Sequence, residues 1–292
     1  MGTKAALRSA VAVTLSVMVL AGCSSGPADT ADQVNRIESS LNITTATKIE
    51  ADSTTARVMY FKDGKNKYGE ASKDDDPKDM DFIGDLVMVK GVPVSKLDPS
   101  GLAKHMQEAG CDDNPSGTSE VSISGAVVHQ AGCGDLTATS GLQKAKAWID
   151  GEESKTYAAW DEATLDAILA ELVKVAGPKV AQITINGEKP ASLGEKNSID
   201  VITERQPGSD GEACQSTIQR RLQPDQKPLW GPVSTCERDG RPLGNGSFEL
   251  SRLTGAKVLA AFKKLKPGTD LQHMETCLLY TSDAADDSLR GD

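Results

Sequence analysis

The sequence predicts an α+β fold built from repeated modules, each a helix packed on a small sheet of antiparallel strands. Three observations predict it. Helix-capping residues recur near positions 30, 98, 161 and 251, each ahead of apolar residues spaced three and four apart. Between those stretches the apolar pattern switches to alternation, as strands require. Turn-forming pairs such as Asp63-Gly64 and Gly177-Pro178 punctuate the changes. The recurrence of the caps predicts three modules, over 31–97, 98–160 and 161–250, with a further helix opening within 251–276.

Each element follows from local chemistry. Asp29 or Thr30 can cap a first helix that carries Val34, Ile37 and Leu41 on one face. Arg57 to Phe61 alternates as a strand, Asp63-Gly64 turns the chain, and a second strand runs near Tyr68; Leu86 to Val89 gives another. Asp98 caps a second helix with Pro99 at its first position, Leu102 and Met106 inward, and Gly110 past its end. Val121 to Ile123 and Ala145 to Ile149 follow as strands. Asp161 caps the third helix, whose stripe is Leu165, Ile168, Leu169, Leu172 and Val173, and Gly177-Pro178 stops it. Strands at Val180–Ile185, Ile199–Ile202 and Thr217–Leu222 come next, and the excess length of the third module is a Pro- and Gly-rich stretch from Pro207 to Gly246, within which the last of these strands falls. Ser251 or Thr254 opens the fourth helix, with Val258, Leu259, Phe262 and Leu265 as its stripe.

The two ends of the chain read differently. Lys4 and Arg8 precede an uncharged, mostly apolar run from Ala10 to Leu20, which closes on Leu20-Ala21-Gly22-Cys23 and then Ser24-Ser25-Gly26-Pro27. The run is about half the roughly 20 residues that a helix needs to span hydrocarbon, so it suits a processed signal. Leu-Ala-Gly-Cys resembles the bacterial lipobox. That resemblance implies a signal peptide over 1–22, cleavage before Cys23, acylation of its thiol and a small-residue tether over 23–30. At the other end, Cys277 to Asp287 resembles the translation of a transposase sequencing adapter, which matches eleven consecutive residues. It implies that 277–292, including Arg290-Gly291-Asp292, is not native sequence and that the gene is cut near Thr276. The helix-plus-strand pattern between the ends resembles uncharacterised lipoproteins of actinobacterial type, a likeness that implies no activity.

Six cysteines divide on this reading: Cys23 takes lipid and Cys277 falls in the adapter-like tail. The remaining four, in an oxidising compartment, are expected as disulfides. Cys111–Cys133 and Cys214–Cys236 each enclose 22 positions, and this equal, short spacing favours that pairing among the three possible. A metal site of these cysteines with His105 or His129 would need C-x-x-C or H-x-x-x-H spacing, which is missing.

Charge and motifs narrow the function classes. The formal net charge is −10 and no Lys/Arg cluster occurs, which argues against nucleic acid and against docking on anionic lipid. Gly22-Cys23-Ser24-Ser25-Gly26 at the signal junction is the one G-x-S-x-G match, and no S-x-x-K, H-E-x-x-H or phosphate-binding loop is present, so no catalytic residue, metal or cofactor is assigned. His105 reads as a partly exposed helical histidine, and Trp148, Trp160 and Trp230 as packing residues. Asp74, Asp75, Asp76, Asp79 and Asp81 lack calcium-loop order and read as a solvated run. The expectation is a non-enzymatic lipoprotein on the extracytoplasmic face of the cell membrane. Its partners are the lipid bilayer, through acylated Cys23, and an unknown envelope ligand or protein. An anchored envelope hydrolase and a structural accessory subunit of a membrane complex are the rival readings.

Overall fold

Chain order sets out two similar halves and a third, less regular part. The computed structural model describes residues 29–82, 89–134, 142–188, 196–207, 213–224, 228–233, 237–238, 247–265 and 276–280. The first half holds α1 (Thr30–Leu41), β1 (Thr45–Ala46), β2 (Lys48–Ala51), β3 (Thr55–Lys62), β4 (Lys65–Ser72) and β5 (Lys78–Asp81). A short β6 (Val92–Pro93) pairs back onto β1, and a 3-10 turn over Val94–Leu97 leads into the second half. That half holds α2 (Pro99–Glu108), β7 (Pro115–Val121), β8 (Val127–Cys133), β9 (Gln143–Ile149) and β10 (Glu152–Ser154). The rest comprises α3 (Glu162–Ala176), β11 (Lys179–Asn186), β12 (Ser198–Thr203), β13 (Gln206–Pro207), β14 (Ala213–Gln215), β15 (Thr217–Arg221), β16 (Glu237–Arg238), β17 (Phe248–Glu249), α4 (Gly255–Leu265) and β18 (Thr276–Tyr280). The chain is α+β with antiparallel sheets.

The expectation of a separate small sheet for each helix does not hold for the first two. β2 and β7 pair antiparallel, Lys48 opposite Glu120 and Ala51 opposite Gly117, and fuse both halves into one eight-stranded sheet of order β10-β9-β8-β7-β2-β3-β4-β5. Two four-stranded meanders each end on a strand with backbone groups to offer, and pairing the two satisfies both edges. One core serves both helices: Val34 and Ile37 of α1, Leu102 and Met106 of α2, and Ile49, Val58, Val121 and Ala131 of the sheet belong to the same cluster. Register puts Ile49, Val58, Gly69, Ala51 and Gly117 on one face, beneath both helices.

The helices come close because the sheet is trimmed beneath them. A Cβ on Gly69 would lie 2.5 Å from Ile37 Cγ2 and 2.6 Å from Leu41 Cδ1 of α1. One on Gly117 would lie 2.8 Å from Leu102 Cδ1 and 2.9 Å from Met106 Cγ of α2. Each helix is thus seated on a glycine.

The caps behave as expected at α2 and α3. Asp98 accepts from Gly101 N at 3.0 Å and Asp161 from Thr164 N at 2.7 Å. At α1 Asp29 makes no side-chain cap, while Thr254 accepts from Lys257 N at the start of α4. Asp63-Gly64 turns β3 into β4 with positive φ at both residues, as a two-residue hairpin demands. Of the strand expected at Leu86–Val89, only Val89 is described, and it is not in a strand.

In the third part, β15-β12-β11-β17 form a sheet, and β18 pairs the same edge of β11 as β17 does, further along it. Thr276–Tyr280, which overlap the adapter-like tail at Cys277–Tyr280, form a strand, with Leu279 opposite Ile183. The physical reason is modest. Beyond its pairing with β17 this edge of β11 has backbone groups to offer, and Thr276–Tyr280 pairs with them. β13, β14 and β16 make a separate three-stranded ribbon. α3 is covered on more than one side. It packs on β11, β12 and β15, reaches β9 and lies against α4, so Val175 and Ala176 are buried beyond the expected stripe. Its cluster includes Val128, Ala147 and Ile149 from the face of the large sheet away from α2, which welds the third part to the first two. Among the described residues no helix is long and apolar enough to cross a membrane.

Candidate functional site

The chemistry-bearing residues gather where α2 meets the middle of the large sheet. β7 reads Pro-Ser-Gly-Thr-Ser-Glu-Val, with no apolar alternation, yet six of its seven residues are buried. Small side chains are what a central strand needs when a helix presses on it, and its hydroxyls find backbone acceptors: Ser116 Oγ donates to Gly134 O and Ser119 Oγ to Leu97 O. Register then lays Ile49, Ser119, His129 and Trp148 side by side across four strands.

α2 lowers His105 onto this row. Its imidazole stacks on the Trp148 indole at 3.7 Å between centroids and 15° between planes, and meets the His129 ring edge-on at 5.4 Å. His105 is therefore more engaged than a solvent-facing helical histidine, its side chain only 13% exposed. Its Nδ1 lies 3.4 Å from Glu108 Oε2. His129 Nε2 is 3.1 Å from Leu97 O; a carbonyl only accepts, so Nε2 carries the proton and Nδ1 is a lone pair. Among the described residues that Nδ1 is buried without a hydrogen-bond partner. Burial holds the His129 pKa below the ordinary 6.5, and the neighbouring His105 adds to the effect while the Leu97 carbonyl and Asp98 oppose it. Burial also lowers the His105 pKa, against the pull of Glu108. The Cys111–Cys133 disulfide, with S–S 2.04 Å, ties the chain just past α2 to the end of β8 beside this cluster.

A serine beside a histidine invites a hydrolytic reading, but the geometry does not form that pair. Ser119 Oγ and His129 Nε2 converge on the same carbonyl, Leu97 O, so neither activates the other. Among the described residues no three His, Cys, Asp or Glu side chains converge as metal ligands. In the acidic run, Arg36 occupies the carbonyls of Ser72, Lys73 and Asp75, oxygens that a hard cation would otherwise use. Asp79 accepts from Tyr60 at 2.7 Å and from Lys67 at 2.9 Å, and Asp81 lies near Lys65 and Lys67.

Two further polar centres lie elsewhere. On the sheet face opposite α2, Lys48 Nζ sits 2.9 Å from Glu50 and 3.9 Å from Glu120, while Arg57 Nε meets Glu70 at 2.5 Å. Burial raises the Glu120 pKa above its ordinary 4.5 despite Lys48. Burial works against the Lys48 ammonium, but Glu120 and Glu50 outweigh it and raise its pKa above 10.5. The other centre is Arg220, whose side chain is fully buried. It pairs with Glu171 at 2.7 Å, donates to the carbonyls of Lys155 and Arg221, and lies 5.7 Å from the Trp230 ring centroid. Ser154 Oγ donates to Glu171 at 2.8 Å and accepts from Trp230 Nε1 at 3.3 Å, and Trp230 N donates to Gln130 Oε1 at 2.9 Å. One network thus joins β8, β10, α3 and β15.

Sequence reasoning anticipated the disulfide and the burial of Trp148, Trp160 and Trp230, each no more than 5% exposed. It missed the meeting of His105 with His129 and Trp148, and the Arg220 network, because both depend on strand register and helix seating. Neither leaves a local motif. Cys23, Cys236 and His273 lie outside the described residues. Cys214 is disulfide-bonded. No protein-family model matches this chain, no curated protein sequence is significantly similar to it, and no solved structure significantly matches its fold.

Proposed function

We propose that this chain is a lipoprotein anchored in the cell membrane through acylated Cys23, whose globular part binds a ligand or protein partner in the envelope without catalysing a reaction. The observation that carries the anchor is Leu20-Ala21-Gly22-Cys23 behind a short basic and apolar leader. Acylation with two or more chains makes such attachment stable, where one chain alone leaves it reversible. The disulfide at Cys111–Cys133 and the bonded state of Cys214, for which the sequence spacing favours Cys236 as partner, fit the oxidising side of the membrane. The binding reading is supported by how the polar groups are used. The His129, Ser119, Arg220 and Glu171 side chains bond to backbone or to each other inside the fold, and none forms a nucleophile–base pair.

The test is mass spectrometry of the full chain expressed in a bacterium that processes lipoproteins, beside Cys23→Ala. The expected product starts at Cys23 with diacylglycerol on its sulfur and partitions into detergent, and the variant stays unprocessed. A wild-type product that retains residues 1–22 and carries no fatty acid overturns the proposal.

A further inference from the structure

The His105–His129 pair sits between α2 and β8, where α2 meets the sheet. Leu102 and Met106 of α2 rest on Gly117, and the chain entering α2 is tied to the sheet by His129 Nε2 and Ser119 Oγ, both on Leu97 O. His129 is only 6% exposed, and its Nδ1 faces no acceptor among the described residues. Neutral imidazole fits this place: one nitrogen donates and the other needs nothing. Imidazolium does not. Its second N–H would be buried without a partner, edge-on to another titratable ring at 5.4 Å.

We propose that the His105–His129 pair is an acid-sensitive latch: it holds α2 on the sheet while both rings are neutral and releases it when His129 takes a proton.

The surrounding charges leave the latch poised. From α2, Lys104 opposes protonation of His105, while Glu108 and Asp98 favour it. On β9 the nearest charge along the same face is Lys146, which pairs with Glu153 of β10. β7 presents Ser119 between Gly117 and Val121, and β8 presents His129 between Val127 and Ala131, so neither strand adds another charge on this face. Burial outweighs the favourable carboxylates at both rings, in agreement with the geometry. Above pH 6.5 the neutral forms dominate in folded and unfolded chain alike, and the latch is closed. As pH falls below 6.5 the unfolded or opened chain binds protons first, and the hold of α2 weakens. Trp148, stacked on His105, reports the change from inside.

The latch does not depend on lipidation, so it fails or stands separately from the proposed function. The experiment is a reversible fluorescence titration of the full chain in non-ionic detergent from pH 8 to pH 4.5, with hydrogen exchange read at both ends. The expected wild-type signal has a midpoint below pH 6.5, disappears in Trp148→Phe and His129→Gln, and coincides with faster exchange in Pro99–Glu108 than in β11 and β12. His105→Phe keeps a ring on Trp148 but removes a neighbouring charge, so its midpoint should move to higher pH. This variant decides the matter if His129→Gln does not fold. A flat wild-type titration, a His129→Gln midpoint equal to the wild type, or an unmoved midpoint in His105→Phe overturns the latch.

Discussion

Removing the carboxylate from Glu171 should destabilise the protein far more than an ordinary surface ion pair would. Arg220 is fully buried, so its charge has no water to return to when Glu171 is lost. Breaking a buried pair from one side costs about 3–5 kcal/mol, because the remaining charge is left uncompensated. Glu171 is itself 16% exposed on its side chain and retains access to water, so Arg220→Met should cost less, about 2–3 kcal/mol. That figure covers the carbonyls of Lys155 and Arg221 left without their donor, and the lost contact over Trp230. Once Arg220 is methionine, changing Glu171→Gln should add little. The double variant then falls short of the sum by about 3 kcal/mol or more, nearly the whole cost of Glu171→Gln alone and at the upper end of coupled neighbours. Urea unfolding of the wild type, the two single variants and the double variant closes the cycle. If the four free energies add within about 0.5 kcal/mol, the pair is not coupled and the reasoning from burial is wrong.

Three other perturbations have definite outcomes. Cys111→Ser with Cys133→Ser opens a loop whose ends are 22 positions apart, and should lower stability by about 3 kcal/mol in urea, while reductant, which also opens the disulfide at Cys214, should lower the wild type further. Gly117→Val pushes a branched side chain against Leu102, Met106 and the carbonyl of Gln130, and should cost about 1–3 kcal/mol while Gly64→Ala, set in open space at φ +76°, costs less. The Tyr60 hydroxyl, seconded by the Lys67 ammonium and opposed by burial, holds the Asp79 carboxyl below its ordinary 3.8. Its stabilising contribution is complete above about pH 5 and fades as pH falls through the lowered folded value, and Tyr60→Phe should flatten that acid limb of a stability-versus-pH profile.

Much of the helical framework was legible because periodicity and caps are local. Asp98 and Asp161 cap where their positions ahead of apolar stripes placed them, and Asp63-Gly64 turns a hairpin as its residue types require. β7 was legible only at Val121, because a strand squeezed from both sides keeps its side chains small and loses its alternation. The fusion of two meanders into one sheet was not legible either. Nothing near Lys48 signals that its partner is Glu120, since pairing across 72 positions is settled by packing rather than propensity. The disulfide at Cys111–Cys133 could be read from spacing, whereas the imidazole pair beside it could not. His105 and His129 lie 24 positions apart and meet only after the helix is laid down.

The β2–β7 seam also governs the order in which this chain can mature. Wherever the chain emerges N-terminus first, α1 and β2 to β5 arrive before Pro115–Val121, so the incomplete chain carries an unsatisfied strand border for the whole interval. Local hairpins such as β3–β4 close in microseconds, but the seam must wait for distant residues and for the entropy of a long loop. Slow, non-local closure of that kind favours transient association with other incomplete chains, and makes holding factors most useful before residue 121 emerges.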